Sequence, residues 1–66
     1  MLTIGDSARN LKSGKFGKVI GYGHQIVNDV YQTTFKVLTV DAKGYIDQIE
    51  EDLFSVWQKV ENSEIA

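Results

Sequence analysis

The sequence lacks cysteine and proline altogether, and it holds one histidine among its 66 residues. Without cysteine, neither a disulfide framework nor a thiolate metal site can form, and one histidine cannot supply a zinc site of ordinary ligand spacing. No apolar run reaches the length that spans a membrane. The first ten residues lack the basic and apolar regions of a secretory signal. We therefore expect a cytoplasmic protein with no metal, no cofactor and no membrane contact.

Residue groups typical of catalysis are also scarce. One histidine and scattered serines do not define a nucleophile and its base. The acidic residues 50–52 are typical of a solvated turn, and His24 is more simply a hydrogen-bonded, partly buried side chain. Residues 14–19, GKFGKV, lack the Ser or Thr and the following helix that a phosphate-binding loop needs. The sequence predicts a protein that is not an enzyme.

The longest regular pattern is a β-hairpin over residues 15–40, folded about Asn28 and Asp29. Asn-Asp tolerates the positive φ angles of a two-residue hairpin turn, and directly opposed residues of the two strands share one face of the sheet. One face then carries Ile20, Tyr22, His24, Ile26, Tyr31, Thr33, Phe35 and Val37. A slip of one residue would bury Lys36 instead, so we predict that this face belongs to the core. Val19 and Leu38 fall on the other face, as a second buried surface or a shallow apolar patch.

The rest of the chain predicts shorter strands. We expect a strand over residues 2–9, a turn over 10–14, a turn over 41–44 and a strand over 45–49. A 3₁₀ turn at residues 50–52 would bury Leu53, and a closing strand over 54–60 would place Phe54 and Val56 on the face opposite Trp57. Residues 1–60 form one all-β domain, and residues 61–66 form a frayed polar tail.

Several short segments together resemble the SH3-like small barrels, including KOW-type domains. The segments are Ile4-Gly5-Asp6, Ala8-Arg9, residues 14–20 (GKFGKVI), residues 31–37, and residues 49–53 (IEEDL) with Val56. The resemblance covers roughly residues 2–57. It implies a closed five-stranded barrel with one 3₁₀ turn before the last strand and with Val19 turned inward. Because the hairpin register places Ile20 inward, a bulge near Gly17 or Gly21 must reconcile the two predictions.

Two functions remain open at this point. The first is a non-catalytic protein-interaction module, or a small subunit of a larger assembly, that binds a protein partner or a second copy through Val19, Leu38 and Trp57. Packing in the seam of the barrel is an equal alternative for Trp57. The second function is weak nucleic-acid binding of the KOW type. It would use Arg9, Lys12, Lys15 and Lys18, the basic residues of a segment that is positive while the rest of the chain is acidic.

Overall fold

The computed structural model describes residues 2–60, and the predicted tail at 61–66 lies outside the described residues. Five antiparallel strands run in chain order as β1 (Ser7–Asn10), β2 (Phe16–Val27), β3 (Val30–Val40), β4 (Ile46–Leu53) and β5 (Trp57–Lys59). They form one open sheet in the order β4-β3-β2-β1-β5. The predicted all-β architecture with a long central hairpin is confirmed. Within residues 2–60, no helix is long and apolar enough to cross a membrane.

The central hairpin turns at Asn28 and Asp29, as predicted. Their φ angles are 52° and 65°. A type I′ turn requires a positive φ angle at both of its central residues. The predicted register holds on both sides of the turn, from the pair Val27 and Val30 to the pair Tyr22 and Phe35. Local turn chemistry therefore specifies the pairing of this half of the hairpin.

A bulge at Ile20 changes the register nearer the other end of the hairpin. Val19 pairs with Val37, and the next pair is Gly21 with Lys36, so Ile20 has no partner. Val19 is buried whereas Ile20 is exposed. The prediction that Ile20 opposes Val37 in the core is wrong, because one extra residue in a strand reverses which side chains face inward. The inward Val19 and a bulge beside Gly21 agree with the expectation from the SH3-like resemblance.

The core is small and lies on one face of the curled sheet. Its buried apolar residues are Leu2, Ala8, Val19, Phe35, Val37 and Trp57, with Val56 packed against them. Gly17 brings β2 against β3 in this region, where a Cβ atom would overlap the backbone of Leu38 and lie 2.6 Å from the Cα atom of Thr39. The absence of a side chain at this position permits the tight curl.

The C-terminal elements differ from the prediction. Residues 50–52 continue β4, and the 3₁₀ turn covers Phe54–Val56 instead. Trp57 then begins β5 and is 6% exposed, which agrees with the packed alternative and not with exposure to a partner. Phe54 is 43% exposed and lines the same cavity as Trp57, so the prediction that the two lie on opposite faces is wrong. The 3₁₀ turn resets the alternation of side chains before β5, which is why a strand predicted over 54–60 has the wrong phase.

Candidate functional site

The end of the central hairpin projects beyond the core. We call residues 20–33 the arm. They lie beyond Lys18, the last β2 residue paired with β1, and before Thr34, the first β3 residue paired with β4. Among the described residues, the two strands of the arm pair only with each other. The arm contributes to an elongated molecule with extents of 43 × 23 × 19 Å. A two-stranded ribbon has little to stabilise it in water unless something covers one of its faces.

One face of the arm continues the core face but has no cover. This arm face consists of Tyr22, His24, Ile26 and Tyr31, which share a face with buried Phe35 according to the register. Ile26 is 60% exposed and Tyr31 is 74% exposed. The prediction that these residues belong to the core is therefore wrong. Alternation gave the correct face, but the core ends before the hairpin does.

Aromatic contacts organise the arm face. The rings of Tyr22 and Phe35 lie 5.5 Å apart at 57°. The rings of His24 and Tyr31, which are diagonal neighbours across the two strands, lie 6.1 Å apart in an edge-to-face arrangement. These are the tilted geometries that aromatic pairs prefer. The exposed rings of Tyr22, His24 and Tyr31 therefore have defined contacts within the chain.

A groove of about 480 Å³ adjoins the arm face at its base. Its walls are Leu2, Phe35, Phe54, Trp57, Gln58 and Lys59. Phe35 belongs to both features, because it lines the groove and contacts the ring of Tyr22. The groove therefore lies next to the base of the arm face, with the buried ring of Phe35 between them.

The arm carries almost no charge. Between residues 20 and 33 the sequence has one formally charged residue, Asp29, and it lies at the tip. Exposed strand edges in soluble proteins are usually protected by lysine, proline or inward-pointing charges. The strands of the arm have none of these devices, so their backbone groups and apolar side chains are accessible together.

The predicted partner-binding residues are not brought together on one exposed surface. Val19 is 1% exposed and Trp57 is buried beside it in the core, where the Trp57 Nε1 group donates a hydrogen bond to the Asp52 carbonyl at 3.2 Å. Neither side chain is available to a partner. Leu38 lies half-buried on the opposite, outer face of the sheet. There it opposes Lys18 and Ile49 in the register, separated by the sheet from the other two residues.

The four predicted nucleic-acid-binding residues divide into two pairs. Lys12 lies 3.2 Å from an Asp52 oxygen, and Lys15 lies 3.1 Å from an Asp47 oxygen. Arg9 and Lys18 are exposed on the outer face, in neighbouring positions of β1 and β2. Two of the four positive charges are therefore partly neutralised by carboxylates.

A polar network connects the end of β1 to β4. Asn10 is fully buried, and its Nδ2 group donates to Glu50 at 3.0 Å and to Asp52 at 3.2 Å. Its Oδ1 atom accepts the backbone N–H groups of Lys12 and Ser13. Because β1 and β4 are separated by two strands in the sheet, this network holds the sheet in its curled form. The sequence predicts Asn10 only as part of a turn and the acidic residues 50–52 as solvated, so this network is not evident from it.

The network also changes the acidity of Asp52. Burial acts to raise the pKa of this carboxyl group, but hydrogen bonds from the Leu53 N–H group, from Asn10 and from Lys12 outweigh it, and the pKa lies below its ordinary value. Asp52 is therefore a stably ionised acceptor. Among the described residues, no three His, Asp or Glu side chains are grouped in a way that could hold a metal ion.

Comparison with protein-family models, with curated proteins and with solved structures finds no significant match for this chain. The arm face, its groove and the polar network are therefore the features of the molecule that bear on its function. A sequence signal for the arm did exist. Each strand of the hairpin predicted over residues 15–40 is longer than the strands predicted over 2–9 and 45–49. In the structure the hairpin strands of 12 and 11 residues likewise extend past neighbours of 4 and 8 residues.

Proposed function

We propose that the protein is a non-catalytic protein-interaction module, or a small subunit of a cytoplasmic assembly, and that it binds its partner through the arm face. The observation that carries this proposal is the uncovered continuation of the core face along a nearly uncharged arm. We also propose that the domain is an SH3-like barrel. Its strand order, its strong curl and the 3₁₀ turn before the last strand support that assignment.

The chemistry of the arm face suits a protein surface. Tyrosine combines a large apolar area with few rotatable bonds, and aromatic residues commonly provide most of the energy of protein interfaces. Tyr22 and Tyr31 are already oriented by contacts with Phe35 and His24. Such preorganisation lowers the entropy cost of binding. The groove beside Phe54 can receive one apolar side chain of the partner.

Nucleic-acid binding by Arg9, Lys12, Lys15 and Lys18 has less support. Lys12 and Lys15 already contact carboxylates, so binding a phosphate would require these ion pairs to break. Arg9 and Lys18 alone would neutralise two phosphates, which corresponds to weak and salt-sensitive binding. The arm itself has no lysine or arginine.

Affinity capture from the native cells tests the proposed function. The bait is the full chain, compared with Ile26→Asp on the arm face and Ile49→Asp on the outer face. These two isoleucines have matched exposure, 60% and 59%. We expect proteins retained by the wild type to be lost with Ile26→Asp and kept with Ile49→Asp. Loss with Ile49→Asp only, in chains that both remain folded by circular dichroism, would place the interaction on the other face of the sheet.

A further inference from the structure

From the geometry of the arm we infer that its partner is a second copy of this chain, paired antiparallel along the free edge of β2 with a twofold axis beside His24. This inference rests on the proposed function, since it names the occupant of the same arm. It concerns the backbone of the arm as well as its side chains.

The hairpin turn determines which groups point outward. In a hydrogen-bonded β-turn the first and fourth residues are bonded, here Val27 and Val30. Hydrogen-bonded and non-bonded pairs then alternate along an antiparallel ladder. Tyr22, His24 and Ile26 fall in the non-bonded pairs. Their N–H and C=O groups therefore point away from β3, towards the edge that no strand of the described residues covers.

The spacing of these groups is self-complementary. When a second β2 runs antiparallel, Tyr22 lies opposite Ile26 of the second copy and His24 lies opposite the same residue. Every outward N–H and C=O group of the three residues then has a partner. The arrangement is isologous, as a closed twofold dimer requires. The two arm faces also join side by side, so that Tyr22 of each copy packs next to Ile26 of the other.

The charges of the arm agree with self-pairing. No charged residue lies between positions 20 and 27, so two copies of this edge meet without repulsion between fixed charges. In the same register, the tip of each arm, with Asp29, comes level with the base of the other. Exposed Lys18 lies at that base, and so does Asp6, whose carbonyl accepts the Val19 N–H group, so the base carries charges of both signs. A partner with a charged edge strand would not fit this neutral edge equally well.

Cysteine cross-linking tests the register directly, because the natural chain has no cysteine. In an antiparallel hydrogen-bonded pair the Cα atoms lie about 5.5 Å apart, which is within the range for a disulfide. We expect His24→Cys to form a covalent dimer in oxidised glutathione. The control is Thr33→Cys, which lies directly across the arm on the edge of β3. It should remain mainly a single chain that carries glutathione.

Sedimentation equilibrium of the wild-type chain provides the second readout and needs no substitution. We expect the apparent mass to rise towards twice that of the chain as concentration increases. A wild-type mass that stays at one chain, or equal cross-linking of the two cysteine variants, would overturn the inference. Capture of a different protein through the β2 edge would also overturn it. The capture experiment with Ile26→Asp decides the proposed function separately, because it detects any protein bound to the arm face.

Discussion

At the scale of single residues, the curl of the sheet depends on Gly17. A Cβ atom at this position would overlap the Leu38 carbonyl and approach Thr39 Cα to 2.6 Å, and neither backbone group can move aside easily. Gly21, four residues later in the same strand, has only the flexible end of Lys36 nearby, at 3.9 Å. A side chain is therefore excluded at position 17 by the neighbouring backbone but tolerated at position 21. Alanine substitutions at the two positions can distinguish these roles.

We predict that Gly17→Ala lowers the free energy of unfolding by about 3 kcal/mol, because the added methyl group forces β2 and β3 apart. Gly21→Ala serves as the control. It should raise the free energy by about 0.5 kcal/mol, since alanine restricts the unfolded chain more than glycine does. Urea denaturation followed by Trp57 fluorescence measures both. Equal effects of the two substitutions would mean that the close approach at Gly17 is not what bends the strand.

A second residue-scale prediction concerns acid. The pKa of Asp52 is lowered in the folded state, so its contribution to stability is present above its unfolded pKa of about 3.9 and is lost as the pH falls through the folded value. We expect the unfolding free energy of the wild type to decline below about pH 4, and that of Asp52→Asn to decline less steeply. Urea titrations between these acid conditions and neutral pH measure both curves.

Asp6 is a second carboxyl group with a lowered pKa, and it affects the acid stability of both the wild type and Asp52→Asn. The backbone N–H of Thr3 lowers its pKa most strongly, and burial opposes this, while the Thr3 hydroxyl and Lys59 lower it further. Asp6 is present in both chains, so the difference between the two curves reports Asp52 alone. Parallel curves would contradict the role given to the network of Asn10, Lys12 and Asp52.

At the scale of elements, the arm is the part of the hairpin with least support. Its turn places Asp29 at φ 65°, a conformation that glycine adopts with less strain. We predict that Asp29→Gly stabilises the arm by about 0.5 kcal/mol, which slows amide exchange of Gln25 and Gln32 roughly twofold. Asp29→Ala keeps the strain and should speed exchange at the same amides. Faster exchange in the glycine variant would show that the turn does not limit opening of the arm.

The sequence predicts the hairpin turn correctly but not the inward direction of some strand residues, and the difference has a physical cause. Asn28 and Asp29 specify their turn through local chemistry, so the register near the tip follows from them. The inward direction of Val19 depends on the unpaired Ile20, and the inward direction of Trp57 depends on a 3₁₀ turn that begins at Phe54. Each of these two irregularities changes which residues of the strand point inward. A prediction from alternating apolar and polar residues therefore assigns the wrong face to the residues on the far side of the irregularity.

At the scale of the whole molecule, the core covers only part of the long hairpin. Leu2, Phe35 and Trp57 complete the core at the base of the arm, and the aromatic pattern continues past them without cover. The alternation of apolar residues cannot reveal this, because a strand face that packs in the core and one that awaits a partner have the same pattern. The polar network at Asn10 was equally hidden, since it joins residues 40 positions apart in the chain.

Site-specific photo-cross-linking in the native cells tests the central claim, which is that the arm face is the protein-binding surface. A benzophenone side chain replaces Tyr31, which is 74% exposed on the arm face, or Tyr45, which is 69% exposed before β4. We predict a defined protein adduct from position 31 and none from position 45. An adduct with the chain itself would support the paired arms, and one with another protein would support the proposed function alone. Adducts from position 45 only would contradict the account.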